Sequence, residues 1–166
     1  MKTKRIAAAI TSFVFAVLTL LSAAAPRAEA AGPVNWSQVT NYKALDISVD
    51  TDGTVWFIAL NGMVIRWSAS KGLQNMNLNA SRIAVGPKGN ALVAQSNGTI
   101  FTYTGSSWRQ MYNVLAKDVG VGANGAVWVV STGGGVYRWS DAVGWQNMNF
   151  KANRIAVDPK GNAWVT

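Results

Sequence analysis

Short runs in which apolar and polar positions alternate, each closed by a turn-forming dipeptide, recur along most of the chain. Residues 46–50 alternate and Asp52-Gly53 marks a turn. Residues 54–59 are rich in β-branched and aromatic side chains, and Asn61-Gly62 turns again. Residues 63–67 make a third run, and a fourth follows near residues 73–78. Alternation with period two is what a strand with two inequivalent faces requires, and Asp-Gly or Asn-Gly supplies the positive φ of a tight hairpin. The rhythm returns with Asn97-Gly98, Asn124-Gly125 and Gly133-Gly134-Gly135 at the corresponding turns, while Asp158-Pro159-Lys160-Gly161 has the residue order of a type I turn. The pattern predicts small four-stranded antiparallel sheets, one per unit, and an all-β fold.

The unit length follows from internal repetition. Asp46-Ile47-Ser48-Val49, Arg82-Ile83-Ala84-Val85, Asp118-Val119-Gly120-Val121 and Arg154-Ile155-Ala156-Val157 begin 36 residues apart each time. Similarity is stronger at twice that spacing, where residues 72–93 and 144–165 agree at 16 of 22 positions. A pair of repeats was therefore the unit of duplication. Trp36-Ser37-Gln38-Val39 keeps the same register, 72 residues before Trp108-Arg109-Gln110-Met111.

In each first strand the bulky pair (Ile47/Val49, Ile83/Val85, Val119/Val121, Ile155/Val157) flanks a small residue, Ser48, Ala84, Gly120 or Ala156. A sheet wetted on one side would carry polar residues at the small position. A sheet wedged between two others needs bulk on one face and room on the other, the requirement of radially packed blades. The sequence thus predicts a β-propeller of four-stranded antiparallel blades, with about 3.5 blades present. The residue opening each inner strand runs Asp46, Arg82, Asp118, Arg154. Such alternation is self-consistent only in a ring with an even blade count, because an odd count sets one like pair together. These four residues are expected to form inter-blade ion pairs near one mouth of the ring.

Composition narrows the chemistry. The 166 residues include no cysteine and no histidine, which excludes disulfides, thiol nucleophiles, Ser-His-Asp triads and the usual zinc sites. Lys2, Lys4 and Arg5 precede an uncharged apolar stretch at residues 7–21, and Ala28-Glu29-Ala30 follows, the layout of a secretory signal peptide over residues 1–30 cut after Ala30 or, alternatively, Ala25. That stretch is shorter than the ~20 residues of a membrane span, so no transmembrane segment is expected after cleavage. Residues 31–166 then hold all eight tryptophans, 11 basic residues, 6 aspartates and no glutamate. No paired carboxylates stand at a spacing suited to acid-base work, and the aspartates fall at turns or in the charge alternation. The sequence is read as non-enzymatic, without cofactor or metal. Its positive charge is scattered through turns and the chain carries an export signal, which argues against a nucleic-acid partner.

At the inner-strand Ile-Ala-Val, at Asp52-Gly-x-Val-Trp56, at Asn61-Gly-x-Val-x-Arg-Trp67 and at its echo Gly134-Gly-Val-Tyr-Arg-Trp139, the chain resembles the tectonin repeat, a β-propeller lectin family that includes tachylectin-like and fish-egg lectins. The resemblance covers essentially all of residues 31–166. It implies a carbohydrate-binding, six-bladed ring with sugar sites repeated between blades. Against that pattern, Thr166 falls at the end of a second strand, so the domain is expected to be truncated at its C-terminus. Self-association of partial rings through the incomplete blade is the alternative.

Sugar recognition calls for an aromatic platform beside planar amides or guanidinium groups that bridge hydroxyls. Trp56, Trp128, Trp164, Trp67 and Trp139 repeat strictly and read as core; Trp36, Trp108 and Trp145 belong to outer strands and are the stacking candidates. The duplicated Gln-Asn-Met-Asn segments supply Asn75, Asn77, Asn147 and Asn149, and Arg82 and Arg154 follow at the next inner strands. Grooves combining Asn75, Asn77 and Arg82, and Asn147, Asn149 and Arg154, are the predicted ligand sites; the competing reading of each asparagine is a turn cap. Function is expected to be that of a lectin, secreted or periplasmic, recognising glycans or lipopolysaccharide-like surfaces. The alternative is an extracellular or envelope protein-interaction scaffold without catalytic activity.

Overall fold

The computed structural model describes Gln38 and residues 40–166; the leader at residues 1–30 and Trp36 lie outside the described residues. The described residues fold as three meandering four-stranded antiparallel sheets and a two-stranded one. Blade I comprises β1 (Ala44–Val49), β2 (Val55–Ala59), β3 (Met63–Ser68) and β4 (Gly72–Asn79). Blade II comprises β5 (Arg82–Val85), β6 (Ala91–Ala94), β7 (Ile100–Tyr103) and β8 (Trp108–Met111). Blade III comprises β9 (Ala116–Val121), β10 (Val127–Ser131), β11 (Gly135–Ser140) and β12 (Gly144–Lys151). β13 (Ile155–Val157) and β14 (Ala163–Val165) form the inner half of blade IV. The inner strands β1, β5, β9 and β13 lie side by side in chain order, as in a β-propeller.

The exit from each blade is built alike. The amides of Ala80, Ala116 and Ala152 donate to the carbonyls of Gly62, Gly98 and Gly134, each at 2.8 Å. Those glycines take φ between +85° and +87°, a region that a Cβ makes costly. A second repeated feature is a left-handed asparagine in or just after the outer strand, at Asn77, Asn113 and Asn149. Asparagine tolerates this conformation better than other residues with a Cβ.

Bulk meets space between blades as the alternation predicts. A Cβ at Gly120 would stand 2.7 Å from Val157 Cγ2, and one at Gly86 would stand 2.5 Å from Val121 Cγ1. Each inner strand therefore presses its large residues onto the small face of the blade before it. Three core clusters follow: one between blades I and II around Trp56, Val64, Ile83 and Val93, one between II and III around Leu92, Ile100, Val119 and Val129, and one around Val130, Val136 and Ile155. Gly120→Val is expected to destabilise the fold by about 2–3 kcal/mol, since the added methyls must displace a packed valine. Denaturant unfolding monitored by tryptophan fluorescence measures it, and an unchanged midpoint would contradict the interdigitation.

The same geometry explains what is exposed. Ile47 and Val49 are 61% and 57% exposed although their counterparts Ile83 and Val85 are buried, because the described residues put no blade before β1. Trp164, read from the sequence as core, is 68% exposed on a strand with no further sheet beside it. Met148 and Phe150 of β12 are also exposed, whereas Met76 and Leu78 at the same places in β4 pack under the outer strands of blade II.

Candidate functional site

The inner-strand charges do form inter-blade contacts, in two alternating kinds. Asp46 Oδ2 accepts from the amide of Ile83 at 2.9 Å, and Asp118 Oδ2 accepts from that of Ile155 at 2.8 Å. Ser48 Oγ takes the amide of Val85 at 2.9 Å. These side chains satisfy donors on the open edge of the next inner strand, which would otherwise be left unpaired. Between blades II and III the contact is ionic instead: Arg82 Nε lies 3.7 Å from Asp118 Oδ1, and from the other side Arg154 Nε lies 3.2 Å from Asp118 Oδ2. Asp118 is thus buried between two guanidinium groups, while no ion pair joins Asp46 to Arg82 among the described residues.

These contacts locate the predicted ligand residues. Arg82 and Arg154 are committed to Asp118 on the inner strands. Asn75 and Asn147 lie on the outer strands β4 and β12 and accept, through Oδ1, the amides of Asn77 and Asn149 at 2.9 and 2.8 Å. They thereby hold the left-handed residue at a bulge in the pairing of β3 with β4 and of β11 with β12. The two halves of each predicted groove therefore sit at opposite edges of the sheets, and no hydrogen bond among the described residues joins them. Trp108 packs edge-on against Tyr103 and Trp56, with ring centroids 5.2 and 6.2 Å away, and its Nε1 donates to the carbonyl of Met76 at 2.8 Å. It closes the outer core between blades I and II. Trp145 packs edge-on against Trp139 at 5.2 Å.

The structure brings a different set together. A cleft of about 380 Å³ opens between blades II and III, floored by Leu92, Met111, Val121 and Val127. Asn90, Thr102 and Arg109 stand on the blade II side, and Trp139, Ser140 and Asp141 on the blade III side. Arg109 and Trp139 also border a second cleft of about 330 Å³ that reaches Trp145. The indole of Trp139 is fixed twice, by the ring of Trp145 and by donation from its Nε1 to Asp141 Oδ1 at 2.9 Å. The arrangement offers an oriented aromatic face, a guanidinium, a carboxylate and hydroxyls around one concavity, which can stack on an apolar ring face and hydrogen-bond its substituents. Sequence reading placed Trp139 in the core and assigned the aspartates to turns or to the charge alternation. The available signal was Arg109, the charged residue where the earlier copy of the motif has Ser37.

Elsewhere the carboxylates serve turns. The amide of Thr54 holds Asp52 below the usual carboxylate range, and the Asn162 side chain does the same for Asp158. No group of three or more acidic side chains suited to a metal occurs among the described residues.

Comparison with known proteins gives a family and a fold. The family model for the tectonin domain matches residues 79–165. No curated protein matches the chain. Among solved structures it is similar to the WD40 β-propeller domain of Doa1 (TM-score 0.57, 17% identity, 75% of this chain and 48% of that one). It is also similar to PorZ of Porphyromonas gingivalis, described as an essential surface component of the type-IX secretion system (TM-score 0.56, 8% identity, 75% and 18%). A third is YCF48 bound to D1 peptide (TM-score 0.51, 15% identity, 75% and 47%). The chain spans less than half the length of each of these structures. Their low identity speaks to the β-propeller fold alone.

Proposed function

The chain belongs to the tectonin-domain family, and from that premise we propose that it is an exported, non-catalytic lectin that binds surface glycans in the cleft between blades II and III. The observation that carries this reading is Trp139, held by Trp145 and Asp141 and facing Arg109 across a concavity of saccharide size. An aromatic face gains from burying the C–H side of a sugar, and Arg109 and Asp141 can each bridge vicinal hydroxyls. No helix among the described residues is long and apolar enough to cross a membrane. Export rests on the leader-like residues 1–30.

Arg109 is exposed, so Arg109→Ala should leave the melting temperature unchanged. It should weaken retention on the best-bound glycan about tenfold, ~1.4 kcal/mol, while Lys71→Ala in a remote turn has no effect. A glycan array identifies the ligand and titration on that ligand reads the change. Failure of the unmodified protein to bind any glycan would discard the lectin reading. The exposed apolar pair Met148 and Phe150 favours a second reading, an interaction scaffold. A defined protein partner recovered by crosslinking, and not displaced by sugar, would select it.

A further inference from the structure

Trp56, Leu92, Trp128 and Trp164 occupy one position of the repeat, and blade II is the one described blade that carries no indole there. We infer, resting on the lectin reading, that Leu92 thereby admits the terminal ring of a glycan to the place that Trp56 fills in blade I. The otherwise similar segments 72–93 and 144–165 differ at this position, Leu92 against Trp164.

The interface between blades I and II shows how a ring is received. The Trp56 indole is fully buried, 5.5 Å from the ring of Tyr103 and 6.2 Å from that of Trp108, both on blade II. Arg66, directly opposite Trp56 on the neighbouring strand, lays its guanidinium 5.4 Å from the ring centroid. Blade III repeats the pair, with Arg138 5.5 Å over Trp128. In blade II the opposed residues are Leu92 and Thr102, which carry neither ring nor guanidinium, and both line the cleft of about 380 Å³. Across it stands Trp139, the equivalent of Tyr103. Arg109, paired with Thr102 in the same row, supplies the cation from the outer strand. This interface thus keeps an aromatic wall and a guanidinium, with open volume where blade I sets its indole. A ring seated as Trp56 is seated has room for one connection to the rim, so it is the end residue of a glycan.

Refilling the place tests this. Leu92→Trp with Thr102→Arg gives blade II the pair of blade I, and a melting curve verifies folding. Retention on the glycan best bound by the unmodified protein should fall about a hundredfold. If the double variant does not fold, Leu92→Phe sets a smaller ring on the same floor and should weaken retention about tenfold. The methyl glycoside of the glycan's end residue should displace it, and displacement by internal fragments alone overturns the end-residue assignment. Equal retention by unmodified and refilled proteins overturns the inference while the lectin reading stands, with its site elsewhere. If the unmodified protein retains no glycan, the lectin reading fails and indole, followed by saturation-transfer NMR, decides by itself whether the place receives a ring. Indole binding that the refilled variant loses upholds the place for an aromatic ligand; equal or absent signals overturn it.

Discussion

Trp56→Ala is expected to destabilise the protein by about 3–5 kcal/mol, enough to unfold most domains of this size at physiological temperature. Trp56 is fully buried between blades I and II. Its ring lies 5.5 Å from that of Tyr103 and edge-on to Trp108, and the Arg66 guanidinium lies 5.4 Å from its centroid. Truncation removes the largest side chain in the first core cluster and leaves a void that two sheets cannot close without sliding their inner strands. Trp56→Phe separates volume from polarity. The indole Nε1 has no hydrogen-bond partner, so its loss removes an unmet donor along with part of the ring. The phenylalanine variant should therefore lose no more than about 1–2 kcal/mol. Urea denaturation of both variants gives the comparison. Equal losses would show that the site does not behave as a packed core.

The second large effect is at Asp118. Asp118→Ala leaves the amide of Ile155 without its acceptor and two arginines without their shared carboxylate, at a position 3% exposed. Loss of the acceptor of a buried amide, together with contacts to two partly exposed arginines, costs about 2–3 kcal/mol. Asp118→Asn keeps an acceptor oxygen for Ile155 and should recover roughly half of that loss, the remainder measuring the ionic share. The equivalent Asp46→Ala removes two amide contacts, from Ile83 and from the adjacent Ile47, at a partly exposed site and should cost only about 1 kcal/mol. Thermal melts of the three variants should rank Asp118→Ala below Asp118→Asn and Asp46→Ala. Equal melting temperatures for Asp118→Ala and Asp46→Ala would contradict the two-kinds-of-interface arrangement.

Much of the architecture is legible in one chain because a repeated unit states its rules several times. The runs at residues 46–50, 54–59, 63–67 and 73–78 correspond to β1 (Ala44–Val49), β2 (Val55–Ala59), β3 (Met63–Ser68) and β4 (Gly72–Asn79) within two residues. The acid-base alternation at residues 46, 82, 118 and 154 anticipates the ion pairs at Asp118. Its detail differs from simple neighbour pairing, because a backbone amide competes for each carboxylate. Asp46 spends one oxygen on Ile83 while Arg82 turns forward to Asp118.

The residues of the proposed cleft were less accessible. Repetition marks Asn75, Asn77, Asn147 and Asn149 as strongly as it marks a ligand site, yet a bulge that must be rebuilt in each outer strand repeats for the same reason. Tryptophan placement misleads in the opposite direction. Trp108 on an outer strand is drawn inward by the carbonyl of Met76, and Trp139, packed against the core between blades II and III, also borders the cleft.

What the sequence by itself determines is local and periodic: strand length, turn type, the side of each strand that must be small, and the order of charges along the inner strands. These depend on neighbours within one unit, which a 36-residue period exposes to inspection. The tertiary structure alone decides which side chains converge from different units. Arg109 lines one cleft with the locally bonded pair Trp139 and Asp141 because blades II and III pack at a particular separation, where Val121 is seated against Gly86, a contact between residues 35 positions apart. Packing of this kind is a property of the pair of surfaces, and no position on either strand carries it alone.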